Sequence, residues 1–256
     1  MSDDPVRYEL RGPAAWITLA SPETRNALGA ALVAALGSQM RRAMDDPAAR
    51  AVVLTGEGPA FCAGADLKSR GAMGETAAGN PFVDLLKRMR HGPKPVIVAA
   101  NGHAFGGGVG LVAAADIAIA VDTAIFSFSE VRIGAIPAMI SVVVLPKLGE
   151  HQTMRLFLTG ERFDAQRAQG YGLLHRVVAP GELETAVGNE IDAIAKGGPN
   201  AVREAKQLVR TVARLPEDEA FAFAEKKIAA IFASEEAAEG MAAFAEKRSP
   251  KWVKPR

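Results

Sequence analysis

Two segments of the chain follow one plan. Ala51-Val52-Val53-Leu54-Thr55, a glycine turn and Ala60-Phe61-Cys62-Ala63-Gly64 are echoed by Val96-Ile97-Val98-Ala99-Ala100, a glycine turn and Ala104-Phe105-Gly106-Gly107-Gly108. Each starts as a compact apolar run of the kind that forms a buried strand, stops, and restarts. Stacked side by side, such strand-turn-loop units would aim the backbone N–H groups after each loop at one point. The second unit, NGHAFGGGVGL, runs into another apolar, alanine-rich segment, so its glycines sit where a strand feeds a helix. Glycines without Cβ atoms admit a ligand to the backbone, and the first N–H groups of a helix are unpaired and carry the positive end of its dipole. An acyl oxygen and a phosphate both suit such a place.

The surrounding pattern is α/β. Residues 6–10 and 15–19 read as two short strands joined at Arg11-Gly12-Pro13, supported by alternation in Trp16-Ile17-Thr18-Leu19. Leu28, Leu32, Leu36, Met40 and Met44 recur at helical spacing, closed by Asp45-Asp46-Pro47. Residues 117–120 read as a buried strand and 124–128 as a short one. Residues 69–80, rich in Gly and Ala without a period, are expected to form a mobile surface loop over a site. From Met139 the pattern turns mostly helical, with helices expected at 140–148, 151–158, 165–169, 183–195, 201–213, 218–232 and 235–246. The expected division is an α/β body over 1–199 and a helical region over 200–256, packed on its own body or on another copy.

Composition removes several function classes. With 49% hydrophobic residues and a net charge of +1 over 256 residues, the chain has ample core and no electrostatic footprint for nucleic acid or an anionic membrane. No run approaches the roughly 20 apolar residues of a membrane span. The start, MSDDPVRYEL, lacks a basic segment followed by an apolar one, so a cytoplasmic protein is expected. Cys62 alone forms no intrachain disulfide. A phosphate loop of the G-x-x-x-x-G-K-[ST] type is missing, and the dinucleotide fingerprint read from Gly106 fails at Leu111. His91, His103, His151 and His175 show no paired metal-ligand spacing, so no metal is expected.

Several side chains remain as chemical candidates. Cys62 with His103 would make a nucleophile and base, although a lone cysteine usually serves as a small buried apolar residue and a turn histidine bonds backbone. Glu130 stands in an apolar stretch, Ser127-Phe128-Ser129-Glu130-Val131-Arg132-Ile133-Gly134. It is either a helix-start carboxylate or partner of Arg132, or an acid whose apolar surroundings raise its pKa toward proton transfer near neutrality. Asp66 and Asp116 flank apolar runs and read as acids bonding backbone.

Five motifs in register resemble the enoyl-CoA hydratase (crotonase) superfamily across nearly the whole chain. They are Pro22-Glu23-Thr24-Arg25-Asn26-Ala27-Leu28, Ala60 to Leu67, Asn101 to Gly108, Glu130 with Gly134 and Pro137, and Glu239-Gly240-Met241 with Phe244 to Arg248. The resemblance implies an α/β fold, a ClpP-like spiral of repeated ββα units with a C-terminal α-helical trimerisation region, assembled as a homotrimer or dimer of trimers. It implies an acyl-CoA thioester substrate and no cofactor, coenzyme A entering only as part of the substrate. Carried over, Ala65 and Gly107 would donate their N–H groups to the thioester oxygen, Gly107 being small for close approach, and Glu130 would move the proton. CoA contacts would come from Ala27, Ala63, Ala65, Asp66, Leu67 and Lys68, with Gly106, Gly107, Gly110 and Pro137 around the acyl group. Phe244 and Lys247 would reach the nucleotide end of a ligand in a neighbouring subunit.

Family hydratases hold water with two glutamates, and the second position is Gly110 here. The expected activity is hydration of a 2-enoyl-CoA by Glu130 alone, with Gly110 leaving room for a branched, methylglutaconyl-like chain. A Δ3,Δ2-enoyl-CoA isomerase or hydratase-lyase also needs one glutamate, and a silent acyl-CoA-binding protein needs none.

Overall fold

A computed structural model describes residues 4–66 and 79–253. The hairpin forms as its turn residues dictate: β1 (Val6–Arg11) and β2 (Ala14–Leu19) pair antiparallel around Gly12. Helix α1 (Ala30–Asp45) then buries Leu32, Leu36, Met40 and Met44 on one face. Leu28, at the expected start of that helix, forms an isolated parallel bridge with Ala65 instead. The two echoed units follow as β3 (Ala51–Gly56), β4 (Ala60–Cys62) and α2 (Pro81–His91), then β5 (Val96–Ala100), β6 (His103–Phe105) and α3 (Gly107–Ala114). A third comes from β7 (Ile117–Val121), β8 (Ile125–Ser127), a 3-10 turn over Ser129–Ile133 and α4 (Ala138–Thr159).

The first strand of each unit enters one sheet and the second enters another, which is what makes the chain spiral. With β10 (Arg176–Val178), the larger sheet has the order β1-β2-β3-β5-β7-β10, parallel beyond the hairpin. With β9 (Arg162–Asp164), the smaller has the order β4-β6-β8-β9. Val53 faces Ile97 in the larger sheet, and in the smaller Cys62 faces Ala104 after a register shift between Ala60 and Cys62. The echoed loops are therefore neighbours.

α4 carries both helices expected between 140 and 158, divided by a kink at Gly149 (φ 70°, ψ 165°). α5 (Ala165–Gly170), α6 (Leu183–Lys196), α7 (Pro199–Val212), α8 (Glu217–Phe232) and α9 (Glu235–Ala245) complete the chain. Among the described residues no helix is long and apolar enough to cross a membrane. The loop expected at 69–80 lies outside the described residues except for Gly79 and Asn80, and Asn80 caps α2 by accepting from the Phe82 and Val83 N–H groups.

Candidate active site

Asn26 builds the first wall. It is fully buried with φ 56°, a left-handed conformation that Asn tolerates better than most residues. Its amide reaches the carbonyls of Glu57 (3.1 Å), Ala60 (3.0 Å) and Phe61 (3.2 Å), and its Oδ1 accepts from Ser21 N–H. That ties the turn before α1 to β4. Ala63 N–H then donates to Arg25 O (3.0 Å) and Leu28 N–H to Gly64 O (2.7 Å). The parallel bridge uses the N–H groups of Leu28 and Asp66, so Ala65 N–H donates to nothing among the described residues.

The second wall is the glycine turn. Gly106 adopts φ 48°, ψ −117°, a conformation essentially reserved for glycine, and its N–H bonds Ser127 O (2.9 Å). Gly107 opens α3, where helical geometry leaves its N–H without a partner among the described residues. The walls touch at Gly64 (φ 86°): a Cβ there would stand 2.6 Å from Phe105 O and 3.5 Å from Gly107 N.

Glu130 closes the site from the 3-10 turn. A Cβ on Gly106 would lie 2.9 Å from Glu130 Oε1, so the carboxyl rests directly over that backbone. Oε2 is buried with no hydrogen-bond partner among the described residues, and burial pushes the carboxyl above its ordinary 4.5. Arg132 does not neutralise it, since the guanidinium turns to Thr159 O (3.5 Å). Gly134 in a left-handed cap and Ala135 N–H, both donating to Glu130 O, fix the turn. Ala65, Gly107 and Glu130 line one cleft of about 200 Å3, with Ile133, Ile136 and Ile140 on its apolar side. Glu130 is the only titratable group among the described lining residues. Two N–H groups without partners among the described residues, on one cleft with a raised carboxyl, can stabilise an oxyanion while a proton moves beside it.

The family model for enoyl-CoA hydratase/isomerase matches residues 11–255. The chain belongs to the enoyl-CoA hydratase/isomerase family. It is 37% identical over 250 residues to carnitinyl-CoA dehydratase of Proteus mirabilis, covering 94% of this chain and 95% of that one. Two solved structures overlay nearly its full length. An enoyl-CoA hydratase/isomerase from Marinobacter aquaeolei has a TM-score of 0.89 at 34% identity, covering 98% of this chain and 99% of that one. Pseudomonas aeruginosa AtuE has a TM-score of 0.90 at 31% identity, covering 98% and 100%. The chain is an enzyme of the enoyl-CoA hydratase type, and an acyl-CoA substrate accords with that family.

Within this family fold the expected site residues fall in different places. Ala63, Ala65, Gly106, Gly107, Glu130 and Pro137 line the cleft, with Ala27 beside it through the Leu28 bridge. Asp66 lies next to Gly29, the cap of α1, where its carboxylate complements the helix start. Leu67 and Lys68 lie outside the described residues. Phe244, 88% exposed, and Lys247 (φ 55°) stand at the end of α9, away from this cleft.

One expectation is corrected. Gly110 does not open space for a bulky acyl group: a Cβ there would overlap Ile140 Cγ2 and stand 3.0 Å from Ile140 Cβ, so α4 already fills that side. Packing also demands a small residue at Gly107, where a Cβ would run 2.7 Å from Leu28 Cδ1 and 3.5 Å from Phe82 Cζ.

Cys62 and His103 make no nucleophile pair. Burial pushes the thiol up to about 12, and His103 Nδ1 accepts from Ile125 N–H (3.1 Å). Asp116 bonds backbone as expected, accepting from Val96 N–H (2.8 Å). Sequence reasoning missed Asn26 as the hub of the loops and Ile133, Ile136, Met139 and Ile140 as cleft wall. The signal was a cluster of apolar residues flanking a turn, Ile133 to Ile140, with Ile133 and Ile136 exposed at 58% and 73%.

Proposed function

We propose that the enzyme hydrates a 2-enoyl-CoA with Glu130 as its single acid-base. The observation that carries this is a raised, unpaired carboxyl across one cleft from two free backbone N–H groups. In this reading the thioester oxygen sits between Ala65 and Gly107. Ionised Glu130 takes a proton from water as the water oxygen bonds the β-carbon. The π electrons pass to the thioester oxygen, giving an enolate that each N–H stabilises by about 3–4 kcal/mol. Glu130 then delivers its proton to the α-carbon, completing the 3-hydroxyacyl-CoA and restoring the carboxylate. With Ile140 in place of a second acid, one group performs both transfers.

The apolar wall of Ile133, Ile136, Met139 and Ile140 supports a branched acyl chain. A methylglutaconyl-like carboxylate would draw its cation from beyond the described lining, which contains no Lys, Arg or His. The Proteus relative's name suggests a carnitinyl chain, whose fixed cation would find only Glu130 there. The same single carboxyl also supports a second reading, proton transfer between carbons in a 3-enoyl-CoA. Assembly as a homotrimer or dimer of trimers is part of the proposal, supported by exposed Val142, Met154 and Leu158 on α4 and Phe232 and Phe244 in the tail.

A panel of straight, branched and glutaconyl-type 2-enoyl-CoA esters, with one 3-enoyl-CoA, tests the reading. Hydroxyacyl product from a 2-enoyl ester is expected. Formation of 2-enoyl product alone from the 3-enoyl ester replaces hydratase by isomerase, and tight acyl-CoA binding without turnover replaces both by a silent binder.

A further inference from the structure

Residues of α2 and α7 and of the turn after α7 line a second cavity of about 370 Å3, separate from the acyl cleft. It is lined by Arg90, Arg210 and Arg214 with His91, Gln207 and Thr211, and no acid is among the described lining residues. Lys206, with its side chain buried, and half-buried Lys147 stand close by, and each titrates low through desolvation, with Arg210 adding to the effect. The acid that offsets these cations is Asp116, whose carboxylate is already engaged by Arg210 Nη2 (2.6 Å), Lys206 Nζ (2.8 Å) and Val96 N–H (2.8 Å). Around His91 the charged neighbours are Arg90, Lys206, Arg210 and Arg214, all cationic.

The buried N–H groups point to what is needed. Arg90 is 8% exposed, and although its Nη1 donates to Val142 O (2.9 Å), its Nε has no partner among the described residues. Arg210 Nε is likewise buried and unpartnered. Cationic donors left without an acceptor are costly, so a cluster of them around a cavity calls for an anion. The negative end of the α2 dipole does not account for them. At that end Met89 O takes Lys206 Nζ (2.8 Å) and Arg88 O takes Gly92 N–H (2.8 Å), while Arg90 turns away to α4.

We propose that this cavity is an oxyanion site, with Arg90, Arg210 and Arg214 as ligands for a phosphate or carboxylate group. The group is supplied by a free small anion or by an acidic side chain of a second copy of the chain. Because Arg90 holds Val142, two residues beyond Ile140, occupancy also steadies the turn of α4 that walls the acyl cleft. The proposal is independent of the reaction assigned to that cleft.

The test uses the full chain and the exposed Arg214. Melting temperature is measured for wild type and Arg214→Gln in chloride and in inorganic phosphate at equal ionic strength and pH, together with mass in solution. A free-anion source predicts a saturable rise of about 2–4 °C for wild type in phosphate that Arg214→Gln loses. A second-copy carboxylate predicts no phosphate response, a lower melting temperature for Arg214→Gln in both buffers, and a smaller assembly. The proposal is overturned if the variant keeps the full phosphate response. It is also overturned if phosphate has no effect and the variant is unchanged or more stable with its mass unaltered, which is what relief of simple repulsion would give.

Discussion

Glu130 is held in a state that costs the folded chain something. Its raised pKa means that the ionised form is less stable in the fold than in the unfolded chain. The stabilising balance belongs to the protonated form: it is complete below pH 4.5 and is lost as pH rises through the folded value. Glu130→Gln is therefore expected to raise the melting temperature at pH 7, with the gain over wild type shrinking to nothing by about pH 4. Equal gain at both pH values would show the carboxyl to be unstrained. The same shift places the acid limb of kcat/KM above 4.5, since the base is lost as pH falls through the raised pKa. Gly110 supplies a second residue-scale prediction. Gly110→Glu drives its side chain into Ile140 and should cost about 1–3 kcal/mol or more in denaturant unfolding, with part regained in Gly110→Glu/Ile140→Gly. The sequence showed that the second acid is missing, but not which way the Cβ of residue 110 points. That direction depends on how α4 crosses α3, which no local pattern records.

At the scale of elements, the site depends on how two loops are held together. Asn26→Ala leaves Glu57, Ala60 and Phe61 carbonyls without their shared donor and is expected to destabilise by about 2–4 kcal/mol in urea unfolding. Gly64→Ala should wedge the loops apart at Phe105 O, lowering kcat by ten-fold or more through misplaced N–H groups while leaving most of the fold. A Gly64→Ala enzyme with normal kcat would mean that the loops do not position the oxygen. The strands at 51–55 and 96–100, the hairpin and the tail helices were legible because their apolar periods are long and regular. α2 was overlooked because it follows a glycine-rich stretch, although Asn80-Pro81 and the spacing of Phe82, Leu85, Leu86 and Met89 mark a capped amphipathic helix. β9 and β10, three residues each, are made by pairing with β8 and β7 and carry too few residues for a period.

For the whole molecule, the internal echo did most to define the fold. Sending alternate strands to two sheets puts corresponding loops of consecutive units side by side, and Ala65 and Gly107 acquire free N–H groups on one cleft as a result. Glu130 arrives from the third unit, which echoes the others in topology but not in residues, so its place over Gly106 was not legible beyond the resemblance. The tail's exposed Phe221, Phe232 and Phe244 make a further expectation at this scale. Mass in solution should correspond to a trimer or its multiple, and a monomer at micromolar concentration would refute that part of the proposal. The most direct test of the central claim is hydration in heavy-oxygen water. Wild type given its preferred 2-enoyl-CoA should place the label at the β-carbon hydroxyl, while Glu130→Gln binds acyl-CoA with near-normal affinity and incorporates at least a thousand-fold less, as ~10³ is expected when the one acid-base group is removed. Label incorporation by Glu130→Gln at a rate near that of wild type would contradict the account.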